Sequence, residues 1–199
     1  MDLTTSALVK AYLTGAGATV YGSDIDALLA ELVSLYSARF LSVLGRLAEK
    51  TERVVDLDVR ARQTIFSLPA YPIDTGETFT LVNDPNRSFT GAAVSSSNYV
   101  VKADLGAFVL DVPELVPGYG VLRVTYTGGM GADAASIAAA FPEIAELLAI
   151  QVAHHLQRRE TLGATNVSGG DGNVGFPGTL NLLPMVRQGL APYRRKWIA

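Results

Sequence analysis

Residues 40–59 read FLSVLGRLAEKTERVVDLDV, and within them the rhythm of the chain changes. Up to Leu47 apolar residues recur every three or four positions, the spacing that lines one side of an α-helix. From Thr51 they alternate, as Arg53-Val54-Val55-Asp56-Leu57-Asp58-Val59, the spacing of a half-buried β-strand. A chain that turns from helix to strand here needs its two flanks read before its architecture can be stated.

On the N-terminal side the pattern is helical. Leu8, Val9, Tyr12 and Leu13 cluster at helical spacing in a short element over Leu3–Leu13, and GAGATVYG (15–22) breaks it. Ser23 with Asp26 three residues on forms a capping-box pattern, with acids where the helix dipole favours them. Ile25, Leu28, Leu29, Leu32, Leu35, Tyr36, Phe40, Val43, Leu44 and Leu47 then make a wide apolar stripe, wide enough for more than one neighbour.

On the C-terminal side short alternating runs follow one another: Thr64–Leu68, Thr78–Val82, Tyr99–Val101, Ala107–Leu110 and Val121–Tyr126. The turn clusters DTGE, NDPNRS, SSSN, ADLG and VPGYG separate them, and Pro69, Pro72, Pro113 and Pro117 exclude long helices. After TGGMG the helical period returns. Pro142 occupies a first helical position, Glu143 and Glu146 fill the first turn, and Ile144, Leu147, Leu148, Gln151, Val152 and Leu156 mark later turns towards Arg158 and Arg159. A short helix is expected over 183–190, stopped by Pro192 and followed by the tail YRRKWIA.

The expected class is therefore α+β: a helical bundle core from residues 1–50 and 134–199, carrying over 51–133 an inserted small antiparallel β-sandwich or barrel module. The segments 24–48 and 142–160 are expected to pack together, with Leu28, Leu32, Tyr36, Leu44, Leu148, Val152 and Leu156 in that core.

Composition bounds function. The 199 residues are 49% hydrophobic and 18% charged, with mean hydropathy +0.26, enough for a real core and against general disorder. There is no cysteine, which excludes disulfides, thiolate metal sites and a cysteine nucleophile. MDLTTSALVKAYLTG lacks the basic start and long apolar core of a signal peptide, and no run approaches the roughly 18 apolar residues of a membrane span. A soluble protein in a reducing compartment, with no membrane contact, is expected. The net charge of −3 is uneven: residues 151–199 carry +4 (Arg158, Arg159, Arg187, Arg194, Arg195 and Lys196 against Glu160 and Asp171), leaving −7 on the first 150. A basic end on an acidic body fits nucleic acid, an acidic protein surface or a solvated tail.

The search for chemistry finds no site. ATNVSGGDGNVGFPGT (164–179) has the glycines of a phosphate cradle but neither a lysine nor a helix start after its last glycine. No GxGxxG lies between a strand and a helix. His154 and His155 are neighbours on a helix and diverge by roughly 100°, so they cannot converge on one metal. No Gly-x-Ser-x-Gly elbow nominates a serine. Asp56/Asp58 and Asp24/Asp26 are explained by strand alternation and capping. RRKW and HHLQRR offer cations with aromatics that suit contact with a nucleic-acid backbone, not sequence reading. Neither an enzyme nor a cofactor or metal site is expected. A carbohydrate-binding or small enzymatic module on the β insertion, with Tyr71, Tyr99, Tyr119 and Tyr126 as a sugar platform, is the alternative from another class.

The layout resembles the head–tail connector, or adaptor, proteins of tailed bacteriophages, in the branch with a β-domain insertion. The resemblance lies in the opening Leu3-Thr4-Thr5 to Val9-Lys10-Ala11-Tyr12-Leu13, the long helix Asp24–Arg46 ending Leu44-Gly45-Arg46, and the bounding strands Leu68-Pro69-Ala70-Tyr71-Pro72-Ile73 and Val124-Thr125-Tyr126-Thr127-Gly128-Gly129. It continues through Phe141-Pro142-Glu143-Ile144, the glycine-rich 167–178 and Leu190-Ala191-Pro192-Tyr193-Arg194-Arg195. The long Asn83–Asn98 connection and Lys196-Trp197-Ile198-Ala199 depart from it.

The resemblance implies a virion protein at the head–tail interface, assembled in the host cytoplasm. It would form a ring of identical subunits, commonly a dodecamer, beneath the portal protein, with double-stranded DNA touched non-specifically in the channel and a downstream tail or head-completion protein below. A head-closure or tail-completion protein is the neighbouring alternative. On this reading Val167, Gly169, Gly170, Asp171, Gly172, Asn173, Gly175 and Phe176 form an inter-subunit or lumen loop that orders on assembly. Tyr193, Arg194, Arg195, Lys196 and Trp197 are the candidate portal anchor, a solvated tail being the plainer reading.

Overall fold

The computed structural model of the chain describes residues 1–15, 25–111, 115–157, 166–169, 172–175 and 181–195. In chain order its elements are α1 (Ser6–Gly15), α2 (Asp26–Leu44), β1 (Thr51–Val59), β2 (Ile65–Ser67), β3 (Thr80–Asn83), β4 (Tyr99–Lys102), β5 (Ala107–Leu110), β6 (Gly118–Gly128), α3 (Ala134–Ala140), α4 (Pro142–Gln157), β7 (Asn166–Gly169), β8 (Gly172–Gly175) and α5 (Pro184–Leu190). They mix helix with small antiparallel sheets, an α+β arrangement. Two compact units result: Met1–Leu44 with Asp133–Arg194, and Gly45–Ala132 with Arg195.

In the first unit α4 contacts α1, α2, α3 and α5. Its buried face alternates bulk with small residues (Ile144, Ala145, Leu148, Ala149, Val152, Ala153, Leu156), so neighbouring helices approach closely. Two buried polar groups act as ties. The Ser37 hydroxyl accepts from the Leu3 amide at 3.0 Å, and the Gln151 side chain accepts from the Leu183 amide at 2.9 Å, just before α5. Both satisfy backbone donors that burial would otherwise strand.

α2 buries Leu29, Leu32, Val33, Tyr36, Ser37, Phe40 and Leu44. Leu28, expected in this core, is exposed, and so is Leu35. At 100° per residue Leu28 falls about 120° and Leu35 about 140° from the centre of the buried face, beyond the edge of the stripe that the sequence makes look continuous. Gly45 ends the helix in the left-handed region (φ +67°), the usual position for a helix-terminating glycine. By length and composition α2 would also pass as a membrane span (19 residues, mean hydropathy 1.5), contrary to the expectation that no run approaches one. Packing of one face against α1, α4 and α5 accounts for that apolarity. The capping box at Ser23 lies outside the described residues.

α3 has no counterpart in the reading of the sequence. Asp133 caps it, accepting from the Ser136 amide at 2.7 Å while its own amide donates to the Ser136 hydroxyl at 3.0 Å. Poly-alanine has helix propensity but no periodic contrast, so a periodicity scan passes over it. The chain bends by 116° between α3 and α4, where Pro142 cannot continue the α3 ladder and starts α4 instead. Pro192 does not stop the last helix outright: α5 passes into a 3₁₀ turn over Ala191–Tyr193 with the proline inside its first positions.

In the second unit two three-stranded sheets, β1-β6-β3 and β2-β5-β4, are antiparallel throughout. Phe66, Phe108 and Leu110 from one, Leu81, Leu122, Val124 and Tyr126 from the other, and Leu68 just after β2 share a single core. The Phe66 and Phe108 rings stack at 5.1 Å, and Phe79 meets Phe108 edge-on at 5.7 Å. The long 83–98 connection starts as a turn organised by Asp84, whose carboxylate accepts from the amides of Asn86, Ser88 and Phe89 at 2.8–2.9 Å.

Candidate functional site

The sequence offers no catalytic constellation, and the described residues hold no cluster of His, Asp and Glu able to bind a metal. Asp56 lies opposite Arg123 in the β1–β6 register and takes a bidentate pair of hydrogen bonds from it (2.8 and 2.9 Å), which holds its carboxyl below the usual range. Asp58 accepts from the Gly120 amide at 2.8 Å. Both acids close the sheet and leave no general acid–base pair. His155 is half-buried, its Nδ1 2.8 Å from the Tyr36 hydroxyl, and burial pushes the imidazole below its ordinary value. Tyr71 and Tyr126 are core residues, and the Tyr99 hydroxyl donates to the Phe79 carbonyl. Of the four tyrosines Tyr119 alone is highly exposed, at 84%, so they do not line up as the sugar platform of the alternative reading.

The distinctive surface lies in the helical unit. A cleft of about 540 Å³ is lined by Arg39 and Ser42 of α2, Val43 beside them, Asn181 and Leu182 before α5, Arg187 of α5, and Arg194 after the 3₁₀ turn. Three arginines line one space, and no acid lines it among the described residues. None of the three has an ion pair or side-chain hydrogen bond among the described residues, whereas three of the unit's acids have partners: Asp26 with Lys10, Asp133 with Ser136, and Glu143 with the Tyr193 hydroxyl. Leu182 is buried and Val43 half-buried, so part of the cleft wall is apolar.

This arrangement divides the residues expected to form one C-terminal anchor. Tyr193 is folded back onto the start of α4, donating to Glu143 and meeting the Phe141 ring edge-on at 6.5 Å. Arg194 turns to the cleft of the helical unit, while Arg195 belongs to the β unit, beside Gly45. Lys196 and Trp197 lie outside the described residues. No signal in the sequence points to the cleft, because Arg39 is separated by most of the chain from Arg187 and Arg194. Arg39 reads there as one more solvent-facing position on α2.

Of the glycine-rich segment, Val167 and Gly169 lie in β7 and Gly172, Asn173 and Gly175 in β8, paired antiparallel with Val167 opposite Val174. A structureless connection was expected; the described backbone is a hairpin instead. Glycine-rich composition hides the alternation by which strands are recognised. Gly170, Asp171 and Phe176 lie outside the described residues. Of the expected core positions, Tyr36, Leu44, Leu148 and Val152 are fully buried, with Leu32 and Leu156 nearly so.

No protein-family model and no curated protein matches the sequence. Solved structures do share the fold. The chain is similar to one from the neck of an empty gene transfer agent particle computed with C6 symmetry, at 15% identity and TM-score 0.60, covering 99% of this chain and 92% of the other. A chain from the virion of a native gene transfer agent particle matches at 16% identity, TM-score 0.56 and the same coverage. One from the neck of a native particle computed with C12 symmetry matches at 14% identity and TM-score 0.52, over 100% and 96% of the two chains.

Proposed function

We propose that this chain is a non-catalytic virion protein, a subunit of the head-to-tail adaptor ring in the neck of a tailed phage or phage-like particle. The observation that carries the reading is fold likeness from end to end. Helical unit and β unit together correspond to nearly the whole of chains from particles described as necks. A likeness confined to the β unit would have favoured a transferable binding module instead.

The ring is proposed as a dodecamer. A twelve-membered ring is compatible with both C12 and C6 averaging, the two symmetries of the neighbouring neck structures, whereas a six-membered ring is not compatible with the first. The helical bundle is the ring-forming body on this reading. It docks beneath the portal protein and continues the DNA channel, and its lower face receives the next tail or head-completion protein. Tyr193–Trp197 is the proposed portal-facing segment, rooted on α4 by Tyr193. The hairpin and its flanks over 167–178 are proposed as an inter-subunit or lumen contact that gains order on assembly.

Imaging the purified chain mixed with its cognate portal tests the reading. A ring with twelve-fold symmetry seated under the portal is expected; a chain that never attaches to the portal would reject it. Removing residues 196–199, which leaves the Tyr193–Glu143 contact intact, is expected to weaken attachment without loss of fold.

A further inference from the structure

We infer that the arginine cleft of the helical unit is a docking site for an acidic segment of a partner protein, carboxylates flanked by apolar side chains. Arg39, Arg187 and Arg194 line it, with no acid in the lining and no side-chain partner for any of the three among the described residues. Three like charges lining one cleft repel each other unless an anion enters, and no acid among the described residues lines it. Planar guanidinium forks match carboxylates two hydrogen bonds at a time, and Ser42 and Asn181 add neutral donors at the rim.

The apolar wall selects peptide over nucleic acid. Leu182 and Val43 offer a surface that an aliphatic side chain next to a carboxylate can cover, and a phosphate backbone has no group to place there. Duplex DNA is also convex and is held by cations strung along a stripe, whereas these three enclose a pocket large enough for two or three side chains. The inference does not rest on the ring reading and holds for the monomeric chain.

The test is a titration of the purified full chain, followed through the Arg Nε–H signals in ¹⁵N–¹H spectra. One arm uses a blocked hexapeptide of alternating Leu-Glu pairs, the other a short DNA duplex, both at physiological salt. The peptide is expected to shift the Arg39, Arg187 and Arg194 signals saturably. Arg39→Gln and Arg187→Gln are each expected to weaken it about three- to tenfold, and Arg39→Lys, which keeps the charge but loses the fork, about threefold. Absence of saturable shifts up to about 5 mM peptide, or tighter binding of the duplex at the same three arginines, would overturn the inference. The wild-type titration alone decides between these results, so a variant that failed to fold would not leave the matter open.

Discussion

The two units treat their cations in opposite ways. In the β unit Arg123 is held by Asp56 and lies over the Phe89 ring at 3.8 Å, Lys50 pairs with Asp74 at 2.7 Å, Arg53 donates to the Glu49 carbonyl at 3.0 Å, and Arg46 lies over Tyr71 at 4.8 Å. In the helical unit Arg39, Arg187 and Arg194 share a cleft with no counter-charge among the described residues. A cation neutralised within its own unit contributes to shape; one left without a partner is available to another molecule. The contrast is between cations of the β unit held against its own acids, carbonyls and rings and three arginines of the helical unit that share one cleft.

The units also differ in what fixes them, and substitutions of graded severity separate the two. In the β unit the backbone is decisive. Gly129 has φ +138°, and a Cβ there would stand 2.3 Å from the Glu49 carbonyl oxygen. Gly129→Ala is expected to cost about 4 kcal/mol, combining left-handed strain with a clash against rigid backbone, read as a lowered midpoint in urea. In the helical unit side-chain packing is decisive. Phe40→Ala, at a fully buried position of α2, is expected to cost about 3 kcal/mol by the same assay.

Smaller effects probe the polar groups. Tyr36→Phe removes the hydroxyl that meets His155 Nδ1 and is expected to cost about 1 kcal/mol at neutral pH. The sign of the pH dependence follows from burial. The imidazole is harder to protonate in the folded chain than in the unfolded one, so its contribution is present above the ordinary value of about 6.5 and is lost as pH falls below it. Stability measured from pH 7.5 to 5 should decline, and His155→Gln should flatten that decline. A smaller effect is expected of Asp56→Asn, which removes an exposed pair. Because Arg123 lowers the Asp56 carboxyl, the pair's contribution is present above the ordinary aspartate value and disappears below it. Arg187→Gln, with no side-chain partner among the described residues, should have the smallest effect and leave stability unchanged within about 0.5 kcal/mol.

The sequence made the architecture readable where periodicity is strong. The switch after Leu47 marks the passage from α2 to β1, and each alternating run from Thr64 to Tyr126 corresponds to a strand within a few residues. What stayed hidden had weak contrast. The alanines of α3 carry no stripe, the glycines of β7 and β8 carry no alternation, and Leu28 belongs to a stripe too wide for its edges to be told from its centre. The cleft was illegible for a different reason. Its three arginines come from the two ends of the chain, and only the closure of the helical unit brings them together.

The most direct measurement is the number and position of copies in the mature particle, by quantitative mass spectrometry of purified virions together with gold labelling of a tagged chain. About twelve copies per particle, with label at the head–tail junction, is the expected result. A single copy per particle, or label on the capsid shell or the distal tail, would contradict the proposal that this chain builds a ring in the neck.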